Sequence, residues 1–429
     1  MIFVITLSDG IESKNKLSKP MSNPIIIGAG ISGLVAAIEL EKAGLSPLIL
    51  EATDGVGGRV KSDIEFELPL DYGFQVLLTD YPEAKHYLDY DSLDLIRFEP
   101  GSVIFHNSKQ QKIGDPRRAI SFLWPTITSS VGTFIDKLRI LKLSLNLQKK
   151  SIEEIFSSTE TSTLEYLRKL GFSNRIIDNF FQPFFAGIFL EEDLDTSSRM
   201  FEFVYKMFGT GYASIPRKGM QAIPQQLAAQ LTKTTFRYNA SVNNIENKIV
   251  HLDNGEKLVA DQIIIATDPS NIVNKKNKSN VLWKSCYNIY FESKSSVFNE
   301  AIIGLLPNKK LLVNNFHYLS DVFGGTKDLL SVTVVKSHTL SESEMILKVK
   351  DELEQYCNIK TQGLIKLFQI KKALPNLSIV KYEPHIEDLI IGDGIYCCGD
   401  HLANGSLNAA MASGRMVAEQ IIKAHQERR

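Results

Sequence analysis

From residue 24 onward, short apolar runs alternate with segments of helical periodicity. Pro24-Ile25-Ile26-Ile27 is a β-type run that stops at Gly28. Leu34 to Lys42 then carries apolar residues at helical spacing and ends before Gly44. A second apolar run, Leu48-Ile49-Leu50, ends on Glu51. This pattern predicts strand, helix and parallel strand in sequence. Further on, Gly211 to Lys233 reads as a loop and helix. Asn254-Gly255 divides the apolar runs between 236 and 267 and predicts a hairpin turn. Near the end, a strand finishes at Gly399-Asp400, and a helix is predicted from about Leu407 to His425.

Two intervening stretches follow different patterns. Residues 81–205 read as mostly helical, with apolar positions mixed with lysines from Ile135 to Leu147. A shorter helix, Leu164 to Leu170, stops at Gly171. Residues 276–375 read as strand-rich, with runs at Cys286 to Phe291, Ala301 to Leu306, Leu311 to Asn315 and Leu330 to Val335. One helix is expected there, Ser343 to Tyr356, with Met345, Ile346, Val349 and Leu353 on one side. The order of elements predicts an α/β fold: one discontinuous domain from 21–80, 206–275 and 376–429, with an inserted α+β domain from 81–205 and 276–375. The inserted domain should hold a mainly antiparallel sheet and a helical part. Residues 1–20 lack periodicity and are expected to be a disordered extension, with Met21 as an alternative start.

Composition sets few further limits. The chain has 429 residues, 44% of them hydrophobic, so a sizeable core is available. Lys and Arg (48) balance Asp and Glu (49) and form no long basic block, which argues against a nucleic-acid partner. Four cysteines without ligand spacing point to neither a metal site nor a disulfide framework, and suit a cytoplasmic protein. Cys397 and Cys398 are adjacent, but neighbours on a strand face opposite ways.

The chemistry lies in the glycines. Gly28-Ala29-Gly30-Ile31-Ser32-Gly33 sits between strand and helix, as a dinucleotide fingerprint requires. Gly28 permits the turn, Gly30 lets a pyrophosphate approach the backbone, and Gly33 lets the helix lie close to the sheet. The helix N-terminus offers unpaired N–H groups to phosphate. Glu51, followed by Ala52, stands where a ribose hydroxyl needs an acceptor. A second cluster, Gly55-Val56-Gly57-Gly58-Arg59, adds bare backbone and a guanidinium.

These residues resemble the flavin-dependent amine oxidase, phytoene desaturase and protoporphyrinogen oxidase superfamily. The likeness extends to Asp71-Tyr72-Gly73-Phe74-Gln75 and to a hairpin segment including Val242 and Thr267. It ends in Gly399-Asp400 and the stretch Gly405-Ser406-Leu407 through Arg415. The resemblance implies a Rossmann-like FAD domain with an inserted substrate domain, and an oxidoreductase using noncovalent FAD. It assigns Glu51 to the adenosine ribose, Asp400 to a ribitol hydroxyl and the Leu407 N–H to the flavin O2 edge. The remaining contacts fall to Gly57, Gly58, Arg59, Gly73, Phe74, Gln75, Val242 and Thr267.

The departures from the family concern substrate. One aromatic position of the amine cage corresponds to Ser406, and Ala373-Leu374-Pro375-Asn376-Leu377 lacks the expected tryptophan. The lysine that amine oxidases hold near the flavin is best approached by Lys284, two residues out of register, which reads as a solvated surface lysine. The aromatic run Phe180 to Phe189 either fills a core or lines a channel. The expectation is hydride removal from a C–H bond of a large, mostly apolar molecule, with an amine oxidase acting on CH–NH groups as the alternative. A non-catalytic binding protein of the Rab GDP-dissociation inhibitor type and a flavin-dependent isomerase are further alternatives. The electron acceptor is open between oxygen and a quinone. Peripheral membrane contact is expected through Ile135 to Leu147. No catalytic side chain is assigned.

Overall fold

The structure is a computed structural model and describes residues 23–106, 109–273, 281–325 and 327–427. The expected extension at 1–20 and the alternative start at Met21 lie outside the described residues.

The first βαβ unit forms as its pattern requires. Strand Ile25–Ile27 leads through Gly28 into helix Ile31–Lys42, and strand Leu48–Leu50 returns parallel to the first. These two strands are central in a six-stranded sheet. Its order runs Thr235–Arg237, Leu48–Leu50, Ile25–Ile27, Ile263–Ile265, Ile395–Cys397, Ile390–Gly392. All pairings are parallel except the last. Central strands buried on both faces need uninterrupted apolar runs, which the three isoleucines at 25–27 and again at 263–265 supply. The C-terminal helix Leu407–Gln426 crosses the first helix closely at Gly414, where a Cβ would stand 2.2 Å from the Ser32 carbonyl oxygen. Segments at the start, middle and end of the chain thus build one sheet, the discontinuous Rossmann-like arrangement.

The hairpin region is a three-stranded antiparallel sheet, Val242–Glu246, Ile249–Leu252 and Lys257–Val259. Asn254-Gly255 makes its second turn. The first turn uses Asn247 and Lys248, both at positive φ (51° and 65°).

The inserted part centres on a seven-stranded, mainly antiparallel sheet. Its order is Thr361–Pro375, Trp283–Ser293, Leu329–Val334, Val313–Tyr318, Ile303–Leu305, Gly101–His106, Lys109–Gly114. Two parts of this sheet differ from the sequence reading. The stretch 81–205, mostly helical as read, also supplies the strands Gly101–His106 and Lys109–Gly114, and the first of these pairs in parallel with Ile303–Leu305. Thr361–Pro375, fifteen residues long, was not anticipated as a strand. Helices Phe134–Lys149, Gln182–Phe189 and Ser198–Thr210 form the helical part, and helix Glu342–Cys357 covers the sheet's other side. Strand Ala213–Pro216 lies where only loop was expected, and pairs with Leu77–Leu78 and Leu95–Arg97.

Candidate active site

The fingerprint loop shows a separate geometry at each glycine. Gly28 has φ +104°, a region open to glycine. At Gly33 a Cβ would lie 2.2 Å from the Gly28 carbonyl oxygen and 3.0 Å from the Ala266 Cβ. At Gly30 a Cβ would meet nothing within 4 Å. Gly30 is also the N-cap of helix Ile31–Lys42, and no side chain caps that end. The first-turn N–H groups therefore keep room for an external acceptor.

Glu51 organises this loop as well as bordering it. Its buried carboxylate accepts the Ala29 N–H at 2.8 Å, and the Thr53 N–H and hydroxyl at 2.9 Å each. Gly57 N–H donates to the Ala29 carbonyl at 2.9 Å, clamping the second glycine cluster to the first. Arg59 reaches across to the C-terminal motif. One guanidinium nitrogen bonds Asp400 Oδ2 at 2.9 Å, the other Asp400 Oδ1, and the first also bonds the Ala373 carbonyl at 3.2 Å. The bidentate pair ties together motifs 341 residues apart. At Asp71, burial raises the carboxyl to about 6, while it accepts from Met220 N–H at 3.0 Å and from the Ser62 hydroxyl. Asp71 thus ties the segment before Gly73 to the loop at Met220, while the Gln75 amide donates to the Tyr72 and Arg59 carbonyls at 3.0 and 3.1 Å.

These loops border a cavity of about 1030 Å³. Its wall includes Gly28, Gly30, Ile31, Ser32, Glu51, Gly57, Gly58 and Arg59. Gly73, Phe74, Gln75, Thr267, Gly399, Asp400 and Leu407 complete that end. Four sequence-selected residues stand outside the wall. Ala29 and Gly33 face the loop's own backbone, and Ala52 and Val242 lie beyond the cavity's edge. Leu407 opens the C-terminal helix, whose N-cap Ser406 accepts the Ala409 N–H at 3.1 Å.

The same cavity continues into the inserted part. Phe180, Phe184, Phe185 and Phe189 line it, while Phe181, Phe185 and Phe189 are fully buried against one another. The aromatic run is thus core on one side and cavity wall on the other. The sheet contributes Cys286, Ile303, Leu305, Asn315 and Thr333. Asn315 Oδ1 and Ser102 Oγ are buried with no hydrogen-bond partner among the described residues, and both residues border the cavity.

Lys284 is not a solvated surface lysine. It lines the cavity, and its ammonium bonds Glu191 at 2.6 Å, the Phe189 carbonyl at 3.0 Å and Thr196 Oγ1 at 3.3 Å. Trp283, which the sequence reading did not select, also borders the cavity and stacks on the Arg59 guanidinium at 5.0 Å. Its indole N–H donates to Asp268 at 3.2 Å. Burial opposes charge on Asp268, but Lys372 and Ser270 prevail and hold it down at about 2. Trp283 and Lys284 both enter from the inserted sheet; the sequence reading named Lys284 but took it as solvated, and passed over Trp283.

The four cysteines are free and buried. Burial pushes the Cys286 and Cys398 thiols up to about 12, so both cavity-side thiols are neutral and poor nucleophiles.

Residues 31–422 match the model of the flavin-containing amine oxidoreductases. The chain belongs to that family. Members of the flavin-containing amine oxidoreductase family use FAD, and the fold agrees. Protoporphyrinogen oxidase 2 of Arabidopsis thaliana is 30% identical over 167 residues, covering 38% of this chain and 31% of that protein. The 4,4'-diapolycopene oxygenase of Methylomonas is 25% identical over 282 residues, 56% of this chain and 54% of that protein. The matches thus span only about a third to a half of these relatives' length. Putrescine oxidase, solved with putrescine bound, superposes with a TM-score of 0.70 at 17% identity, over 94% of this chain and 99% of that one. At that identity the likeness concerns the fold.

Proposed function

We propose that this family member is an FAD-dependent oxidoreductase that removes a hydride from a C–H bond of a large, mostly apolar small molecule. The observation that carries this reading is one continuous cavity, with the glycine loops at one end and the aromatic run at the other. The glycine end fits FAD. Open space beside Gly30 and the uncapped helix end suit a pyrophosphate. Glu51 offers carboxylate oxygens to the adenosine ribose while holding the loop, and Thr267, on the cavity wall, flanks the adenine side. Arg59, Gly57 and Gly58 cover the phosphates. Asp400, oriented by Arg59, accepts from the ribitol chain. The Leu407 N–H, at a helix N-terminus, favours negative charge on the flavin O2 edge.

When bound, FAD accepts the hydride; the protein's own residues position and shield. Phe180, Phe184 and Ile188 present apolar surface that excludes water and aligns an extended substrate. Neutral thiols at Cys286 and Cys398 leave the cofactor held noncovalently. The electron acceptor stays open between oxygen and a quinone. Cytoplasmic localisation with peripheral membrane contact belongs to the same reading.

Glu99 keeps a second reading in view. It is a half-buried carboxylate on the cavity wall, which is what an amine substrate would need. Against it, Glu191 is engaged by Lys284, and Asp268 by Lys372 and Trp283. The test is an anaerobic screen of the FAD-loaded protein against porphyrinogens, polyenes and small primary amines. Bleaching by an apolar compound is expected. Rapid bleaching by a small amine alone would establish the amine oxidase reading.

A further inference from the structure

The helix Phe134–Lys149 is apolar on two faces. Leu143 and Leu147 are buried toward the helix Ser198–Thr210. On the opposite face Phe134, Leu138, Leu141 and Leu145 recur at spacings of four, three and four, and all are exposed. The neighbouring segment extends this face, with Ile120 and Trp124 76% and 72% exposed. Nine of the 21 exposed large apolar side chains among the described residues fall between 120 and 145. Lys137 joins the two segments into one surface, since its ammonium bonds the carbonyls of Ile127 at 2.7 Å and Ser129 at 2.8 Å. So concentrated an apolar surface on one face calls for a partner.

Position and charge identify that partner. Ile127, Phe134, Leu138 and Leu141 are both exposed and part of the cavity wall, so the cavity opens through this face. Residues 116–150 carry seven Lys and Arg against one acid, Asp136, which is buried. On the helix, Lys142 and Lys149 are exposed and stand beside the apolar stripe. An apolar stripe rimmed by cations matches an anionic bilayer surface: acyl chains take the stripe and headgroups the cations. Among the described residues no helix is long and apolar enough to cross a membrane, so the contact would be peripheral.

We infer that the face formed by residues 120–145 docks the cavity mouth on an anionic lipid bilayer and admits the substrate directly from it. This rests on the reading of a large apolar substrate, which would partition into lipid. Docking removes the step through water that such a molecule resists.

The test is co-sedimentation of the full-length, FAD-loaded protein with phosphatidylcholine vesicles, with and without phosphatidylserine. Binding to the phosphatidylserine vesicles is expected, and added salt should weaken it. Trp124→Glu combined with Leu145→Glu alters exposed residues outside the cavity wall. The pair should weaken partitioning roughly tenfold or more, with flavin content and melting temperature unchanged. Lys142→Gln with Lys149→Gln should reduce the preference for phosphatidylserine. No vesicle binding by the parent, or equal binding by the Trp124/Leu145 variant, would overturn the proposal. So would a parent dimer that this variant converts to monomer without any vesicle binding, since the face would then belong to a second copy. Bleaching by an apolar compound in detergent, without vesicle binding, would remove docking and leave the substrate reading standing.

Discussion

Two glycines three residues apart should give opposite phenotypes when each becomes alanine. At Gly30 the backbone is at φ −76° and ψ 178°, which any residue adopts, and the added Cβ meets nothing within 4 Å. The apoprotein should therefore lose no stability, and could gain about 0.4–1 kcal/mol from a stiffer unfolded chain. The methyl group would instead stand where the pyrophosphate must approach. Overpacking a fitted contact costs about 1–3 kcal/mol, so FAD affinity should fall about tenfold or more. At Gly33 the new Cβ would lie 2.2 Å from the Gly28 carbonyl oxygen. Neither group is the end of a flexible side chain, so helix and sheet must separate. Apoprotein stability should drop by about 1–3 kcal/mol or more, before any cofactor is added. Urea unfolding of the two apo variants, with FAD titration monitored by flavin fluorescence, separates the effects. The reasoning fails if Gly30→Ala destabilises the apoprotein as much as Gly33→Ala does, or if it binds FAD like the parent.

Glu51→Ala should weaken FAD about tenfold or more and also destabilise the apoprotein, because the buried Ala29 N–H loses its acceptor at about 1–3 kcal/mol; unchanged apo stability would contradict the second part. Burial raises Asp71 to about 6, so the folded state keeps this proton longer than the unfolded chain does. Stability should accordingly fall as pH rises from about 4 to about 6, by up to about 3 kcal/mol, and Asp71→Asn should abolish that fall; parallel stability–pH curves for the two proteins would exclude it. Phe184→Asp, at a half-buried wall position, should impair turnover with FAD still bound, whereas Phe185→Asp, in the core, should lower the melting temperature itself. Acid precipitation should release yellow flavin into the supernatant, and a pellet that retains it would show a covalent bond.

What the chain disclosed before its fold was known depended on how local the signal was. The βαβ unit was legible because its apolar runs, its glycines and Glu51 fall within 27 residues, from Ile25 to Glu51. The C-terminal motif was legible because a strand, a glycine loop and a helix follow one another without interruption. Thr361–Pro375 was not, since it is an edge strand with Lys366, Lys371 and Lys372 breaking the apolar alternation. Gly101–His106 was missed although it also pairs with the nearby Lys109–Gly114, because the polar run Lys109 to Lys112 gives that partner no apolar alternation and the other partner, Ile303–Leu305, lies about 200 residues on. Lys284 looked solvated because its partner Glu191 is 93 residues away. Trp283 escaped notice for a related reason: it lies opposite Pro375 on the neighbouring strand, about 90 residues before the stretch Ala373 to Leu377 in which a tryptophan was sought.

The claim that binds these observations is that one cavity brings FAD against a C–H bond of an apolar substrate. Its most direct test is anaerobic stopped-flow reduction of the FAD-loaded protein by a compound that bleaches it, compared with the same compound deuterated at the reacting carbon. Slower bleaching with the deuterated compound and one oxidised product for each flavin reduced are expected. Equal rates, or a rearranged product with no net oxidation, would contradict it.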